Sequence, residues 1–459
     1  MFSFRRTAVA ELRSLSLQAA FLTLALLAPT CTSNAQEAPV IKSLTGGYNA
    51  SGLQLYHALK EAPGNVVLSP YSIGTALAMA YSGARGETGR EMAAILKLDG
   101  PRAQIDAANK GLLQLFAGYD RTSDPGYCPA GFHWSDSRCE AAPDASGECR
   151  FPSVRQGDVC VAAPSLPSAR LRVANALVLP KEAPGVTQAY AETLHDSYAA
   201  DVLNGAGVDD INAWVAARTA GKIDRIVDSL PRGAGPMLIN AVHLKAQWLV
   251  PFLEEATVDG EFSISAAAKV SVPMMRQREQ LALVQRPGYS AVRLDYAGGG
   301  PAMLIVLPEA VDGLEAVTRR LDVVELGLLA AALQQAQPRL VALTLPRFRA
   351  ALSADLVEPL RGAGLRLPFS DAADFSGMSD SPRGLKIGSI RHRAVIEVNE
   401  HGTEAAAATS IGMVAASAPF EQPQPVPFVV DRAFLFMVVD THSGAVLFQG
   451  RIADPSRRE

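Results

Sequence analysis

The spacing of apolar and polar residues changes character along the chain. From Ser69 onward, SPYSIGTALAMAYSG is almost wholly apolar, with serine then proline at its head. That pattern predicts a buried helix, capped by Ser69, started at Pro70 and ended by Gly83. Thr88-Gly89-Arg90-Glu91 reads as a capping box opening a second helix over EMAAILKL, and residues 103–116 predict a third. Helical spacing returns over 209–223, with Ile211, Trp214, Val215 and Arg218 near one face. Elsewhere the later chain reads as strands: LRVANALVLP (171–180), MLINAVHLKAQW (237–248), PAMLIVLP (301–308), RLVALTLPRFR (339–349) and AVIEVNE (394–400). FLFMVVD (434–440) and AVLFQGRI (445–452) predict a terminal hairpin around His442-Ser443-Gly444. Helices early and strands mostly late imply an α+β fold rather than alternating βαβ units.

One stretch has neither period. VNEHGTEAAAATSIGMVAASAPF (398–420) carries four alanines in a row, Ala405, Ala406, Ala407 and Ala408, yet Gly402 and Gly412 flank them and prolines follow at 419, 423, 425 and 427. It is small-residue chain with no core-facing pattern. A second unusual stretch, 121–165, is rich in Pro, Gly, Asp and Ser and holds Cys128, Cys139, Cys149 and Cys160. It reads as an inserted, loop-rich module. An even set of cysteines so close together predicts two disulfides within it and an oxidising compartment. The spacing lacks the close C-x2-C pairs of a zinc site, and three disulfide pairings are open.

Composition narrows the function. With 459 residues, 48% of them hydrophobic and 19% charged, the chain is globular rather than disordered. The net charge is -4 and the basic residues are scattered, which argues against a nucleic-acid partner. Arg5, Arg6 and Arg13, an apolar run over 15–28 and the small-x-small site Ser33-Asn34-Ala35 predict a cleaved export signal. The expected organisation is a signal at 1–35, a domain begun over 36–120, the cysteine-rich insert at 121–165, and the domain completed over 166–459. Secretion, or release to a periplasm, is expected, with no membrane association of the mature form. S-x-x-K, H-E-x-x-H, G-x-S-x-G and Walker motifs are all missing, so an enzyme is not the expectation.

Several blocks together carry a resemblance. NVVLSPYSIGTALAMAYSGARGET (65–88), INAWVAARTAGKI (211–223), LINAVHLKAQWLVPF (238–252), VPMM (272–275), AVIEVNEHGTEAAAAT (394–409), DRAFLFMVVD (431–440) and GAVLFQGRIADP (444–455) resemble the serpins, in the family's order. The match suggests a secreted, bacterial-type member with a cysteine-rich insert. The resemblance implies a fold of three β-sheets and about nine helices with an exposed reactive-centre loop, here 400–427. It implies a monomeric suicide inhibitor without cofactor. The partner would be a serine protease, or a cysteine protease, held as a covalent complex. A non-inhibitory binding protein or chaperone is the alternative.

Residue by residue, the resemblance assigns a hinge at Glu400, Gly402, Thr403, Glu404, Ala405, Ala406, Ala407 and Ala408. It assigns a polar shutter to Ser69, Ser72, Asn240 and His392, and the loop's entry point to Trp248, Arg347 and Glu400. The family's usual distance from Glu400 puts the cleaved bond at Ala416-Ser417, which suits elastase-like or subtilisin-like proteases. Small residues after the hinge fit a segment that is loop before cleavage and strand afterwards, with Thr403 facing inward and Glu404 outward. In the native state Thr403 is expected to be still outside the sheet.

Overall fold

Ser69 starts the helix its sequence promises. Its side chain accepts a hydrogen bond from the Ser72 N–H at 3.1 Å, and Pro70 occupies the first turn, where a missing N–H costs nothing. Every residue of that helix, Pro70–Gly83, is buried. It packs against strands Met237–Gln247 and Val446–Ile452, which belong to different sheets. The computed structural model describes residues 33–59, 64–119, 133–135, 138–143, 147, 149, 153–162, 169–230, 235–381, 385–403 and 424–457. Met1–Pro39 forms one compact unit and Val40–Glu459 another. Of the first, only the opening turns of helix Ser33–Ala58 are described, and most of the expected signal lies outside the described residues.

Among the described residues there are nine α-helices and a nine-, a six- and a four-stranded sheet, the last within the cysteine-rich stretch, and the first two with the helices make up the serpin fold that the resemblance implies. The predicted helices form as Pro70–Gly83, Gly86–Leu96, Arg102–Ala117 and Val208–Arg218. The capping box at Thr88 is not one. The helix begins earlier, after Arg85, which places Thr88 inside its first turn. The Thr88 hydroxyl accepts instead from the Asp374 N–H (2.9 Å), and the Glu91 carboxylate from the N–H groups of Arg366 and Leu367 (2.8 Å each). Both caps serve a distant segment rather than their own helix. The fourth helix stops at Arg218, short of 223, because the Thr219 hydroxyl accepts the Ile223 N–H and Gly221 turns through φ +76.

The six-stranded sheet positions the site. Its order is Phe348–Asp355, Ser389–Asn399, Gly402–Thr403, Met237–Gln247, Arg170–Leu179, Ala200–Asn204. Two of these strands, Ser389–Asn399 and Met237–Gln247, run parallel and pair directly over seven positions, from Ser389/Met237 to Val395/His243. Above those pairs they separate, and Gly402–Thr403 lies between them, antiparallel to both. The nine-stranded sheet includes the terminal hairpin Phe434–Asp440 and Val446–Ile452 and the 19-residue strand Ala268–Arg286, which the sequence pattern did not reveal. The stretch 339–349 is two strands, Arg339–Pro346 and Phe348–Asp355, in different sheets. The expected loop end at 427 is corrected too. Strand Val426–Val429 pairs in parallel with Val341 to Thr344 at a sheet edge, where Pro427 can lack its donor.

The cysteine-rich stretch is not only loop. It carries a four-stranded sheet in the order His133–Ser135, Arg138–Ala141, Val159–Ala162, Val154–Gln156. Cys149 and Cys160 are bonded to each other, and Cys139 is disulfide-bonded as well; Cys128 lies outside the described residues. The Cys149–Cys160 bridge spans 11 residues, a loop short enough for cross-linking to contribute about 3 kcal/mol. Thiol titration of the unreduced protein unfolded in denaturant is therefore expected to find none of Cys128, Cys139, Cys149 and Cys160 free. Four titratable thiols in this stretch would contradict the stapled module.

Candidate functional site

Two polar clusters stand where the parallel strands part and where they meet. The upper one surrounds the turn after Asn399. Glu400 is buried, and Arg347, from the loop between two strands, reaches it with Nε at 2.7 and 2.8 Å from its two carboxylate oxygens. The Thr257 hydroxyl donates to the same carboxylate at 2.5 Å. Burial alone would raise the Glu400 carboxyl, but the bonds from Arg347 and Thr257 outweigh it and hold it below the usual carboxylate range. This is not an exposed ion pair: the guanidinium is 44% exposed, the carboxylate 3%. The backbone is clamped as well. Trp248 N–H donates to the His401 carbonyl and Phe252 N–H to that of Glu400, both at 2.9 Å. The Trp248 indole N–H donates to the Asn399 carbonyl at 2.9 Å.

Gly402 then turns the chain into the gap with φ +145. A Cβ there would lie 2.1 Å from the Ala246 carbonyl oxygen, so only glycine fits. Thr403 follows, fully buried, facing Val398 on one side and Ala246 on the other. Its hydroxyl lies 2.5 Å from the phenol of Tyr296, whose ring stacks on Trp248 with centroids 4.5 Å apart.

The lower cluster is centred on the fourth of the seven parallel pairs. His392 and Asn240 are opposed across the two strands and joined by a 2.6 Å bond from Nδ1 to the amide oxygen. The Ser69 N–H points at His392 Nε2 from 3.4 Å, so Nε2 is the acceptor and Nδ1 carries the proton. Asn240 donates to the Ser72 carbonyl (2.8 Å) and to Asn175 Oδ1 (2.7 Å), and Asn175 donates to the Tyr198 carbonyl (3.1 Å). Burial with no compensating charge pushes His392 down to about 3, and burial likewise pushes His243, on a neighbouring position of the same sheet, down to about 4. The Ser72 hydroxyl itself has no hydrogen-bond partner among the described residues.

This geometry has a counterpart in known proteins. The family model described as Serpin (serine protease inhibitor) matches residues 47–455. The chain is a serpin. Iripin-8 of the tick Ixodes ricinus is 32% identical over 420 residues, covering 88% of this chain and 92% of that protein. Serpin-Z1A of wheat, Triticum aestivum, is 36% identical over 256 residues, covering 53% of this chain and 63% of its own. Among solved structures, Serpin48 of the insect Tenebrio molitor covers 92% of this chain and 99% of its own at 25% identity, with a TM-score of 0.68. Human thyroxine-binding globulin, at 23% identity and a TM-score of 0.73 over 91% of this chain and 100% of its own, shares the fold. These relatives come from animals and a plant and lend no support to a bacterial-type placement.

Within this serpin, Trp248, Arg347 and Glu400 meet at one place, and Ser69, Ser72, Asn240 and His392 at another. Glu404, Ala405, Ala406, Ala407, Ala408, Ala416 and Ser417 lie outside the described residues. The expectation that Thr403 stays outside the sheet is wrong: the gap above Val395 already admits it, and Tyr296 satisfies its hydroxyl. Neither the residue pattern nor the resemblance points to Thr257, Asn175, Tyr198 or Tyr296 as part of the site. Two left a signal. Asn175 is a lone amide in the apolar run LRVANALVLP, and Tyr296 continues the buried alternation of Val292 and Leu294.

His392→Ala would strand the buried Ser69 N–H and Asn240 amide oxygen, and is expected to destabilise the serpin by about 3 kcal/mol. The pH dependence gives a second arm. Folded His392 resists protonation down to about 3 while the unfolded chain protonates near 6.5, so its contribution is full above pH 6.5 and is lost as pH falls toward 3. The slope is up to about 1.4 kcal/mol per pH unit. His243 adds a slope of the same sign. Urea midpoints between pH 7 and pH 4 should therefore fall with acid, and less steeply in His392→Ala. Equal slopes would contradict a buried neutral His392.

Proposed function

We propose that this serpin is an exported suicide inhibitor of serine proteases. A protease cleaves the loop after Ala416, forms an acyl-enzyme, and is trapped as the freed segment enters the six-stranded sheet. The observation that carries the reading is the register of Thr403. Counting on antiparallel from its two partners, 404 and 405 would fall in the gap already open, and 406–412 opposite the seven parallel pairs. Gly412 would meet Met237 and Ser389 together, so both flanking strands run out at the same residue. One parallel ladder would be replaced by two antiparallel ones, which supplies a downhill direction.

The same counting makes the small residues intelligible. Ala405 would sit between Leu244 and Ile396, and Ala407 between Val242 and Ala394, all buried positions where a larger side chain would clash. Thr409 would arrive between Asn240 and His392, breaking their bond and offering a hydroxyl to both. Glu404 would fall between exposed Lys245 and Glu397, on the other face. Export is supported by the N-terminal signal pattern and the bonded cysteines. A carrier reading would rest on a cavity of about 310 Å³ lined by Leu304, Leu326, Met437 and Val446. A hinge with no bulky, charged or proline side chain on its inward positions favours the inhibitor.

Incubation with elastase, subtilisin, chymotrypsin and trypsin tests the proposal. A complex that survives denaturing electrophoresis is expected with elastase or subtilisin and not with trypsin, since no Lys or Arg lies between Glu400 and Arg432. The released C-terminal peptide should begin at Ser417. Thr409→Val should be cleaved normally yet release more active protease, because insertion would then leave Asn240 and His392 without a bridging hydroxyl. Cleavage by every protease without any covalent complex would overturn the inhibitor reading, and a peptide starting outside 414–421 the assigned bond.

A further inference from the structure

Tyr296 is tied to two sheets at once. It directly follows the strand Tyr289–Asp295, forms an isolated bridge with Trp248, and donates its N–H to the Pro301 carbonyl at 3.2 Å. The next residue, Ala297, donates to the Gln247 carbonyl at 2.8 Å. Its ring is held flat on Trp248, at an interplanar angle of 9°. Trp248 is itself fixed by bonds to the carbonyls of Asn399 and His401. The phenol thus has little freedom, and it points at one group, the Thr403 hydroxyl. Both residues are buried, and among the described residues neither hydroxyl has another hydrogen bond.

We infer that Tyr296 is a positioning residue for loop insertion: its phenol latches Thr403 between the strands before any protease arrives. The inference rests on the inhibitor reading for its consequence, but not for its geometry. A strand entering a closed sheet must first order one residue between two others and break neighbours apart. Here that first step is already made, with Gly402 turning the chain and Tyr296 holding the result. Insertion after cleavage is then extension of an existing strand end, and extension competes better with hydrolysis of the acyl-enzyme. Removing either hydroxyl leaves the other buried and unpaired, which drives the hinge out of the gap. Removing both leaves an apolar contact and no unpaired group.

The test is a double-substitution cycle, Tyr296→Phe, Thr403→Val and the pair together, in the full chain. Hydrogen exchange of the 400–403 amides, measured without protease, should quicken about five-fold or more in each single variant and return near wild type in the pair. With the protease found to be trapped, each single variant should raise the stoichiometry of inhibition several-fold at an unchanged rate of loop attack. The pair should restore that stoichiometry. Wild-type exchange in Tyr296→Phe, or single effects that simply add in the pair, would overturn the latch. Should exchange follow the cycle while no protease forms a complex with the wild type, the latch stands and the inhibitor reading falls.

Discussion

Seven parallel residue pairs hold the six-stranded sheet shut, and the rest of the structure is arranged around that closure. They join Ser389–Asn399 to Met237–Gln247 between the Ser389/Met237 and Val395/His243 positions. Parallel pairing is the weaker of the two ladder geometries. It sits here in the middle of a sheet, over a core of Leu238, Val242, Ala394 and Ile396. A sheet closed this way can be improved only by a strand that runs antiparallel to both neighbours. The chain places the beginning of such a strand, Gly402–Thr403, directly above the closure.

The two polar clusters do opposite jobs, one above those pairs and one at their middle. Above them, Arg347 and Thr257 hold Glu400, Trp248 holds the turn, and Gly402 supplies a backbone angle no other residue takes without strain. That end is held open by a width of one strand. At the fourth pair, the His392–Asn240 bond crosses from strand to strand, and the helix headed by Ser69 braces it from beneath. The middle of the ladder is held closed by a bond one intruding hydroxyl could replace. Both clusters weaken in acid, because His392 is kept neutral by burial and Glu400 is kept ionised by its partners.

Much of this was legible in the sequence, for identifiable reasons. Ser69-Pro70 announces a helix start because both residues act locally, on their own backbone. Buried strands such as PAMLIVLP declare themselves by continuous apolar runs, and the bounds of Pro301–Pro308 match residue for residue. Thr88 misled because a hydroxyl suited to a cap was used by Asp374, 286 residues away. The strand Ala268–Arg286 was hidden by its exposed alternate positions, which break its 19 residues into short apolar fragments. For the site, the resemblance to the serpins told of the Arg347–Glu400 pair and the Asn240–His392 pair, and the need of a buried polar group for a partner made each one plausible. It did not tell that Thr403 is already paired on both sides. That depends on where two distant strands separate, which no local pattern encodes.

On the proposed inhibitor reading, the native sheet is incomplete and its missing strand is the loop itself. The most direct measurement compares thermal unfolding of the intact serpin with that of the same protein nicked in its loop by a protease. Nicking a flexible tether ordinarily leaves stability unchanged or lowers it. Here the freed segment should enter the sheet, replace the seven parallel pairs by two antiparallel ladders, and raise the unfolding midpoint well above that of the intact protein. An unchanged or lowered midpoint after a clean single cut between 414 and 421 would contradict the account.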